Sequence, residues 1–146
     1  MDGVFILAGW GGGAGTGAAP VVAKAAKEAG ALVVGFVTRP FECECGFRLG
    51  LARHGLDAMK GAADGVVCLP NEVVLKLVGP ETTVEETFVL DNDLLADGIG
   101  AFWRLLTVQG RIEIHFEYVC ALVRDRHTES AFAVAELPGE DRARRA

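Results

Sequence analysis

The sequence predicts an α/β fold in which helices cover both faces of a parallel β-sheet. Short apolar segments alternate along the chain with longer segments of helical character, which is the order of repeated β-α-β units. The second apolar segment, "ALVVGFVT" at residues 31–38, is an uninterrupted run rich in β-branched side chains. Such a run is typical of a central strand buried on both faces. With 51% hydrophobic residues, the 146-residue chain has enough apolar material for one domain core.

The first predicted element is a buried strand at residues 4–8, which leads into a glycine-rich turn. From Thr16 the pattern becomes helical, with Pro20 expected in the first turn and Gly30 just past the end. The strand at 31–38 follows, and then a glycine-weakened helix at 46–62 and a third strand at 65–70. These elements predict part of a doubly wound parallel sheet.

A long central helix is predicted after the third strand. Thr82 and Thr83 are each followed three residues later by glutamate, which is the pattern of a capping box. Gly110 is expected to end the helix, and a last strand is expected at residues 131–137. Apolar residues recur along one face of the helix at Val84, Phe88, Leu95, Ile99, Phe102 and Leu106.

The composition excludes several classes of protein. A formal charge of −6 and a pI near 5.0 argue against a nucleic-acid-binding protein. The sequence shows no signal peptide and no apolar run of membrane-spanning length, so we expect a soluble intracellular protein without membrane insertion. No metal site is predicted, because the cysteines form no C-x-x-C pair and no cluster with histidine. The cysteines are Cys43, Cys45, Cys68 and Cys120.

The segment "GGGAGTG" at residues 11–17 predicts a phosphate-binding turn. Glycine is costly to order, so a cluster between a strand and a helix indicates close approach to the backbone, although a purely structural turn is the alternative. Successive N–H groups and the helix N-terminus can surround a phosphate chain. A Walker A loop is excluded because Ala18 and Ala19 stand where Lys and Ser/Thr are required. The dinucleotide fingerprint fits loosely, but the second strand ends without an acidic residue for a ribose.

The segment "AGWGGGAGTGAAPVVAKAAKEAGALVVGFVTRPFE" at residues 8–42 resembles the tubulin/FtsZ family of GTPases. In FtsZ, "GGGTGTG" is the phosphate loop, and "AAPVVA" and "VTRPF" follow it. The resemblance implies a Rossmann-like GTPase domain that binds GTP or GDP. The phosphates would lie on Gly11, Gly12, Gly13, Ala14, Gly15, Thr16 and Gly17, with Ala14 in place of the usual threonine.

Further motifs follow in the family's order. "PFECECGFR" keeps Glu44 and Arg48 in register with residues that face the ribose and phosphates, and Asn71 in "LPN" resembles the asparagine of the family's "IPN". Phe88 and Asn92 resemble the start of the central helix, where an aromatic ring stacks on guanine and an amide binds its edge. Taken singly, Phe88 is explained as core, Glu44 and Arg48 as a solvated pair, and Asn71 as a helix cap.

The family's catalytic loop is altered in this chain. In FtsZ a loop after the central helix of the next subunit, "N-x-D-F-A-D-V", supplies carboxylates that activate water. The aligned stretch here is "GRIEIHFEYV" at residues 110–119, which places Glu113, His115 and Tyr118 at the key positions. Mg²⁺ is the candidate cofactor cation. Neutral histidine binds such hard cations poorly, and it lacks the negative charge of a carboxylate. The resemblance therefore implies impaired GTP hydrolysis.

The match covers only part of a family protein. Residues 1–109 would form the second half of the GTP-binding domain with the central helix, and residues 110–146 the catalytic-loop equivalent and the start of the C-terminal domain. The first half of the nucleotide site is then expected to be missing, leaving one edge of the first strand unpaired. Three interpretations stay open: an FtsZ-like GTP-binding protein that self-associates at the division site in the bacterial cytoplasm, a non-catalytic module that binds FtsZ subunits, and a non-functional gene fragment.

Overall fold

The computed structural model describes residues 3–108, 115–123 and 128–130. Within them, four parallel strands form one sheet in the order β1-β2-β3-β4. The strands are β1 (Gly3–Gly9), β2 (Leu32–Arg39), β3 (Gly65–Pro70) and β4 (Thr128–Ser130). The helices are α1 (Gly13–Glu28), α2 (Gly46–Ala62), α3 (Glu72–Leu75), α4 (Val84–Thr107) and α5 (Phe116–Val123). None of the helices in the described part of the chain is long and apolar enough to cross a membrane.

The sheet is covered on both faces, as the sequence predicts. On one face Val33 and Val37 pack against α1 and α2, and the side chain of Met59 is fully buried among them. On the other face Phe36 packs against α4 through Leu95 and Phe102. Strand β2 is buried from residue 32 to residue 37 because its side chains alternate between these two layers. The α/β class and the doubly wound arrangement are confirmed.

Helix α1 begins three residues earlier than predicted. Gly12 is extended, and the N–H of Thr16 donates to its carbonyl over 3.3 Å, so the helix starts at Gly13. Pro20 therefore lies inside the helix, and its prediction for the first turn is wrong. The physical reason is that Gly15 packs directly on Gly9 of β1, which brings the glycine-rich segment into the first turn of the helix. Pro20 then has no N–H to donate to the carbonyl of Thr16, an interior bond that α1 lacks.

The capping box of α4 is confirmed at Thr83. The Thr83 hydroxyl accepts the N–H of Glu86 over 3.2 Å, and the Glu86 carboxylate accepts the N–H of Thr83 over 2.8 Å. These hydrogen bonds lower the pKa of Glu86. The apolar stripe is confirmed at Leu95, Ile99 and Phe102, whereas Val84 is exposed. Helix α4 ends at Thr107, while Gly110 and the strand predicted at 131–137 lie outside the described residues.

The two edges of the described sheet differ. Strand β3 pairs with β4, a short strand that the sequence did not predict. Strand β1 pairs only with β2 among the described residues, as expected for its outer edge. Near the start of β1, the ring of Phe116 from α5 lies so close that a Cβ added at Gly3 would be 3.3 Å from it.

Candidate functional site

The carboxyl ends of β1, β2 and β3 meet at one edge of the sheet. The register places Gly9 beside Thr38 and Thr38 beside Leu69. Just beyond the strands, the N–H of Trp10 donates to the carbonyl of Thr38 over 3.1 Å, and that of Asn71 donates to the carbonyl of Arg39 over 3.3 Å. Ligands of open α/β sheets bind outside this edge. The glycine loop and Asn71 are therefore brought to the same end of the sheet.

The glycine loop folds back onto the start of α1. Gly11 has a φ of +94°, a conformation that favours glycine, and its N–H donates to the Thr16 hydroxyl over 3.1 Å. Thr16 therefore organises the loop. A Cβ at Gly11 would lie 3.2 Å from Pro40 and 3.3 Å from Arg48, so the loop and Arg48 are in contact.

The glycines of the loop are of two kinds. A Cβ at Gly15 would overlap the carbonyl oxygen of Gly9, so the fold itself requires glycine there. A Cβ at Gly12, Gly13 or Gly17 would meet no atom within 4 Å. Packing within the described residues therefore does not require glycine at these three positions. Ala14, which lies between Gly13 and Gly15, is exposed.

Glu44 and Arg48 form an ordered pair beside the loop. Arg48 Nη1 donates to Glu44 Oε2, while Glu44 Oε1 accepts the N–H of Phe41 over 2.9 Å. Glu44 is therefore held by two partners, and it fixes the guanidinium of the half-exposed Arg48 side chain, whose Cβ lies near Gly11. A guanidinium held in this way is suited to a phosphate, although an exposed ion pair contributes little stability.

Two buried acceptors at this end of the sheet have no hydrogen-bond partner among the described residues. Asn71 precedes α3, yet its side chain makes no capping bond, and its Oδ1 is unpartnered. The helix-cap explanation therefore does not describe its side chain. The second acceptor is Oδ1 of Asp91 on α4, and burial raises the pKa of this carboxyl. Buried unpartnered acceptors are rare in native proteins and call for an explanation.

Asp91 is not among the site residues predicted from the sequence. Its signal lay in its spacing, because Asp91 follows Phe88 by three residues and precedes Leu95 by four, on the stripe of α4 that faces the sheet. A carboxylate on such a stripe is unusual.

Phe88 and Asn92 lie at the amino-terminal end of α4, where the helix reaches the loop after β2. The Phe88 ring is 5.6 Å from that of Phe41 in an edge-to-face arrangement and remains 43% exposed. Phe88 is thus neither buried core nor a free side chain. Asn92 is exposed. An aromatic ring with an accessible face beside an exposed amide is suited to a planar base.

The two predicted catalytic residues that the structure describes, His115 and Tyr118, lie at the opposite end of the sheet. Glu113 is outside the described residues, whereas His115 and Tyr118 are exposed, with ring centroids 5.9 Å apart. The neighbouring Phe116 packs beside Gly3, at the start of β1, while the glycine loop follows the end of β1. A strand of this length spans about 20 Å. His115 and Tyr118 therefore do not face the glycine loop of their own chain.

The described residues contain no group of three or more metal-ligating side chains. Their cysteines with described side chains, Cys43, Cys45 and Cys68, are free thiols.

Comparison with known proteins gives one family. The family model of the Tubulin/FtsZ GTPase domain matches residues 1–79. An empty FtsZ dimer from M. jannaschii is 38% identical, with a TM-score of 0.80 over 86% of this chain and 36% of that chain. The chain thus spans about a third of the length of the FtsZ that it matches.

Two more distant structures share the fold. The GDP-bound monomer of CetZ1 from Haloferax volcanii is 19% identical, with a TM-score of 0.70 over 85% of this chain and 35% of that one. The GTPγS-bound protofilament of CetZ2 from the same organism is 24% identical, with a TM-score of 0.72 and the same coverage. At these identities the similarity shows the fold alone. Because the family model covers more than half of its length and an FtsZ aligns with 86% of it at 38% identity, the chain belongs to the Tubulin/FtsZ family.

Proposed function

We propose that this chain binds guanine nucleotide at the carboxyl end of its sheet as part of an FtsZ-type cell-division system. The observation that carries the proposal is the position of the glycine loop at the carboxyl edge of the sheet, where the backbone of Gly12 and Gly13 is open at the N-terminus of α1. Their N–H groups and the N-terminus of α1 would bind the phosphates. The oriented Arg48 beside Gly11 would add a cationic contact.

The contacts to the ribose and the base are assigned from where each side chain lies along this edge of the sheet. Glu44 and Asn71 would contact the ribose, since Asn71 has a buried acceptor that lacks a partner among the described residues. Phe88 and Asn92 would contact the base from α4. Mg²⁺ would be bound mainly by the phosphates and water, as is usual for this cation. GTP and GDP are the expected ligands.

An FtsZ-type role is favoured over a CetZ-type role by sequence identity, which is 38% with FtsZ and 19–24% with CetZ proteins. Because CetZ structures share the fold, a cytoskeletal role other than cell division is the alternative to the FtsZ-type role. The proposed site of action is the division septum, in the cytoplasm.

Hydrolysis would require a second subunit. Phe116, between His115 and Tyr118, packs at the start of β1, and the strand separates that point from the glycine loop by about 20 Å, so these residues would meet a nucleotide in a head-to-tail neighbour. The altered residues at these positions would make hydrolysis slow. A chain that binds nucleotide and FtsZ subunits without hydrolysis is the second candidate, favoured by the absence of a carboxylate at His115 and Tyr118.

The test is the substitution Gly12→Val, with Gly61→Val as the matched control. A Cβ added at either glycine would meet no atom within 4 Å, so neither substitution should disturb packing. We expect Gly12→Val to weaken the binding of fluorescent GTP at least about tenfold, a loss of about 1.4 kcal/mol, because the added bulk separates phosphate from backbone. Gly61→Val on α2 should bind as the unsubstituted chain does.

Circular dichroism would verify that both variants fold, and unlabelled ATP and GTP would be compared as competitors. Displacement by GTP but not ATP supports the assignment. Equal GTP affinity in Gly12→Val and the unsubstituted chain would reject the glycine loop as the phosphate site. Hydrolysis measured over a range of protein concentrations then separates the two candidates, since only a composite site gains specific activity with concentration.

A further inference from the structure

Two free cysteines lie at the carboxyl edge of the sheet, on either side of Glu44. Cys43 is in the turn after β2, where the N–H of Glu44 donates to the carbonyl of Phe41 over 3.0 Å, and Cys45 immediately precedes α2. Both cysteines are exposed, whereas Cys68 on β3 is buried. Exposed thiols are accessible to oxidants, and buried structural thiols are inert.

The two thiols are close enough along the chain to react with each other. Because one residue separates Cys43 from Cys45, their Cα atoms lie at most about 7 Å apart even in a fully extended chain. A disulfide spans Cα distances of about 4.4–6.8 Å. The Cys45 side chain makes no capping hydrogen bond to α2, so it is available for another bond. A change of the backbone at Glu44 is therefore enough to join the two sulfurs.

The backbone between the two cysteines also holds Arg48 in place. Glu44 Oε1 accepts the N–H of Phe41 over 2.9 Å, while Glu44 Oε2 pairs with the Arg48 guanidinium. The carbonyl of Cys45 accepts the N–H of Arg48 over 2.9 Å, in the first turn of α2. Both the side chain and the backbone of Arg48 therefore depend on the conformation of residues 43–45.

We propose that Cys43 and Cys45 form a reversible disulfide that displaces the Glu44 carboxylate and so releases Arg48 from its present orientation. The ring that this bond closes contains the backbone of Glu44, so its dihedral angles change when the bond forms. Strained or exposed disulfides are the labile and regulatory ones, which suits a switch better than a permanent link. The consequence for nucleotide binding rests on the proposed function, whereas formation of the bond does not.

The oxidation balances with hydrogen peroxide as the oxidant. The thiolate of one cysteine attacks a peroxide oxygen, which breaks the O–O bond, forms a sulfenic acid and releases one water after protonation. The sulfur of the second cysteine then attacks the sulfenic sulfur, so that the S–S bond forms, the S–O bond breaks and a second water leaves. Both sulfurs are oxidised and both peroxide oxygens are reduced. Exchange with dithiothreitol restores the two thiols and oxidises the dithiol.

The first experiment treats the chain with hydrogen peroxide and maps its cysteines by mass spectrometry. We expect the segment that contains Cys43 and Cys45 to lose two hydrogen atoms and to regain them with dithiothreitol. Cys43→Ser and Cys45→Ser should each prevent this change, while Cys120→Ser, at the fourth cysteine of the chain, should not. Unreactive thiols, added oxygen as the final product, or a bond to another cysteine or another chain would overturn the proposal.

The second experiment measures amide hydrogen exchange by NMR in the reduced and oxidised chains without nucleotide. Displacement of Glu44 removes the acceptor of the Phe41 N–H, so this amide should exchange at least about tenfold faster after oxidation. The N–H of Val33, which donates to Asp64 over 2.9 Å, is the control and should not change. Equal exchange of Phe41 in the two chains would overturn the displacement of Glu44.

The third experiment compares the binding of fluorescent GTP to the two chains. Oxidation should weaken binding about tenfold, because a charge-assisted contact from Arg48 to phosphate is lost, and dithiothreitol should restore it. Cys43→Ser and Cys45→Ser should bind GTP equally with and without peroxide. Unchanged affinity in the oxidised chain would overturn the switch. A reduced chain that binds no GTP would overturn only the proposed function, and the disulfide is then decided by the first two experiments.

Discussion

The two ends of the parallel sheet treat buried polar groups in opposite ways. At the amino-terminal end, Asp64 is 1% exposed and both of its oxygens have a counterpart: Oδ2 accepts the N–H of Val33 over 2.9 Å, and Oδ1, which accepts no hydrogen bond of good geometry, forms an ion pair with Lys27 Nζ at 3.0 Å. At the carboxyl end, Asn71 and Asp91 are nearly as buried, and each has a side-chain oxygen without a partner among the described residues.

This difference distinguishes buried polar groups that stabilise the fold from buried polar groups that are available to a ligand. A buried polar group with partners stabilises one conformation, whereas one without partners costs free energy of about 1–3 kcal/mol. Such a cost calls for an explanation, and a ligand or a bound water that supplies the missing partner is one. The amino-terminal end is thus built for folding, and the carboxyl end, with its open glycines, is suited to a ligand.

The largest expected effect tests the amino-terminal end. Asp64→Ala should lower the free energy of unfolding by about 3–5 kcal/mol, because it removes the acceptor of the Val33 N–H and leaves Lys27 without its buried counter-charge. The measurement is urea denaturation followed by circular dichroism. Asp57→Ala, at an exposed position of α2, is the control and should change little. Equal losses in the two variants would remove the contrast between the ends.

The next prediction distinguishes the packed glycine of the loop from an open one. Gly15→Ala should lower the free energy of unfolding by about 3 kcal/mol, because the added methyl group overlaps the carbonyl of Gly9 and α1 must move. Gly17→Ala lies in the same helix with open space around it and should raise stability by about 0.5–1 kcal/mol. Thermal denaturation of both variants without nucleotide measures the two changes in stability. Similar losses would mean that the whole loop is required by the fold.

The smallest effect is a pH dependence at Asp91. Burial raises the pKa of this carboxyl above its ordinary value of 3.8, so the folded state holds the proton more tightly than the unfolded state. This group therefore contributes a stability that falls as the pH rises above about 3.8, until the raised folded-state pKa is passed. Asp91→Asn should remove that decline and be about 1 kcal/mol more stable at neutral pH.

Urea denaturation between pH 4 and pH 7 provides the measurement, with the exposed Asp93→Asn as the control. A constant difference between Asp91→Asn and the unsubstituted chain across this range would show that Asp91 is solvated or paired.

The local features were predictable because each depends on neighbours in sequence. The continuous apolar run predicted the two-sided burial of β2, and the threonine–glutamate spacing predicted the Thr83 capping box. The glycine heptad predicted the turn after β1 and the family. Secondary-structure propensity and the spacing of apolar residues act over a few neighbouring residues, so these elements could be predicted without knowledge of the tertiary structure.

The tertiary structure decided what depends on distant contacts. Packing of Gly15 on Gly9 moved the start of α1 to Gly13 and left Pro20 inside the helix. Burial of α4 against the sheet hid Asp91, which the sequence presents as one of several aspartates near the start of that helix.

The placement of Phe116 beside Gly3 put His115 and Tyr118 at the end of the sheet away from the glycine loop. Sequence therefore determined which segments form helices and strands and which carry family motifs. Only the three-dimensional packing decided which of their polar groups are satisfied, because the partners of a buried group come from segments far apart along the chain.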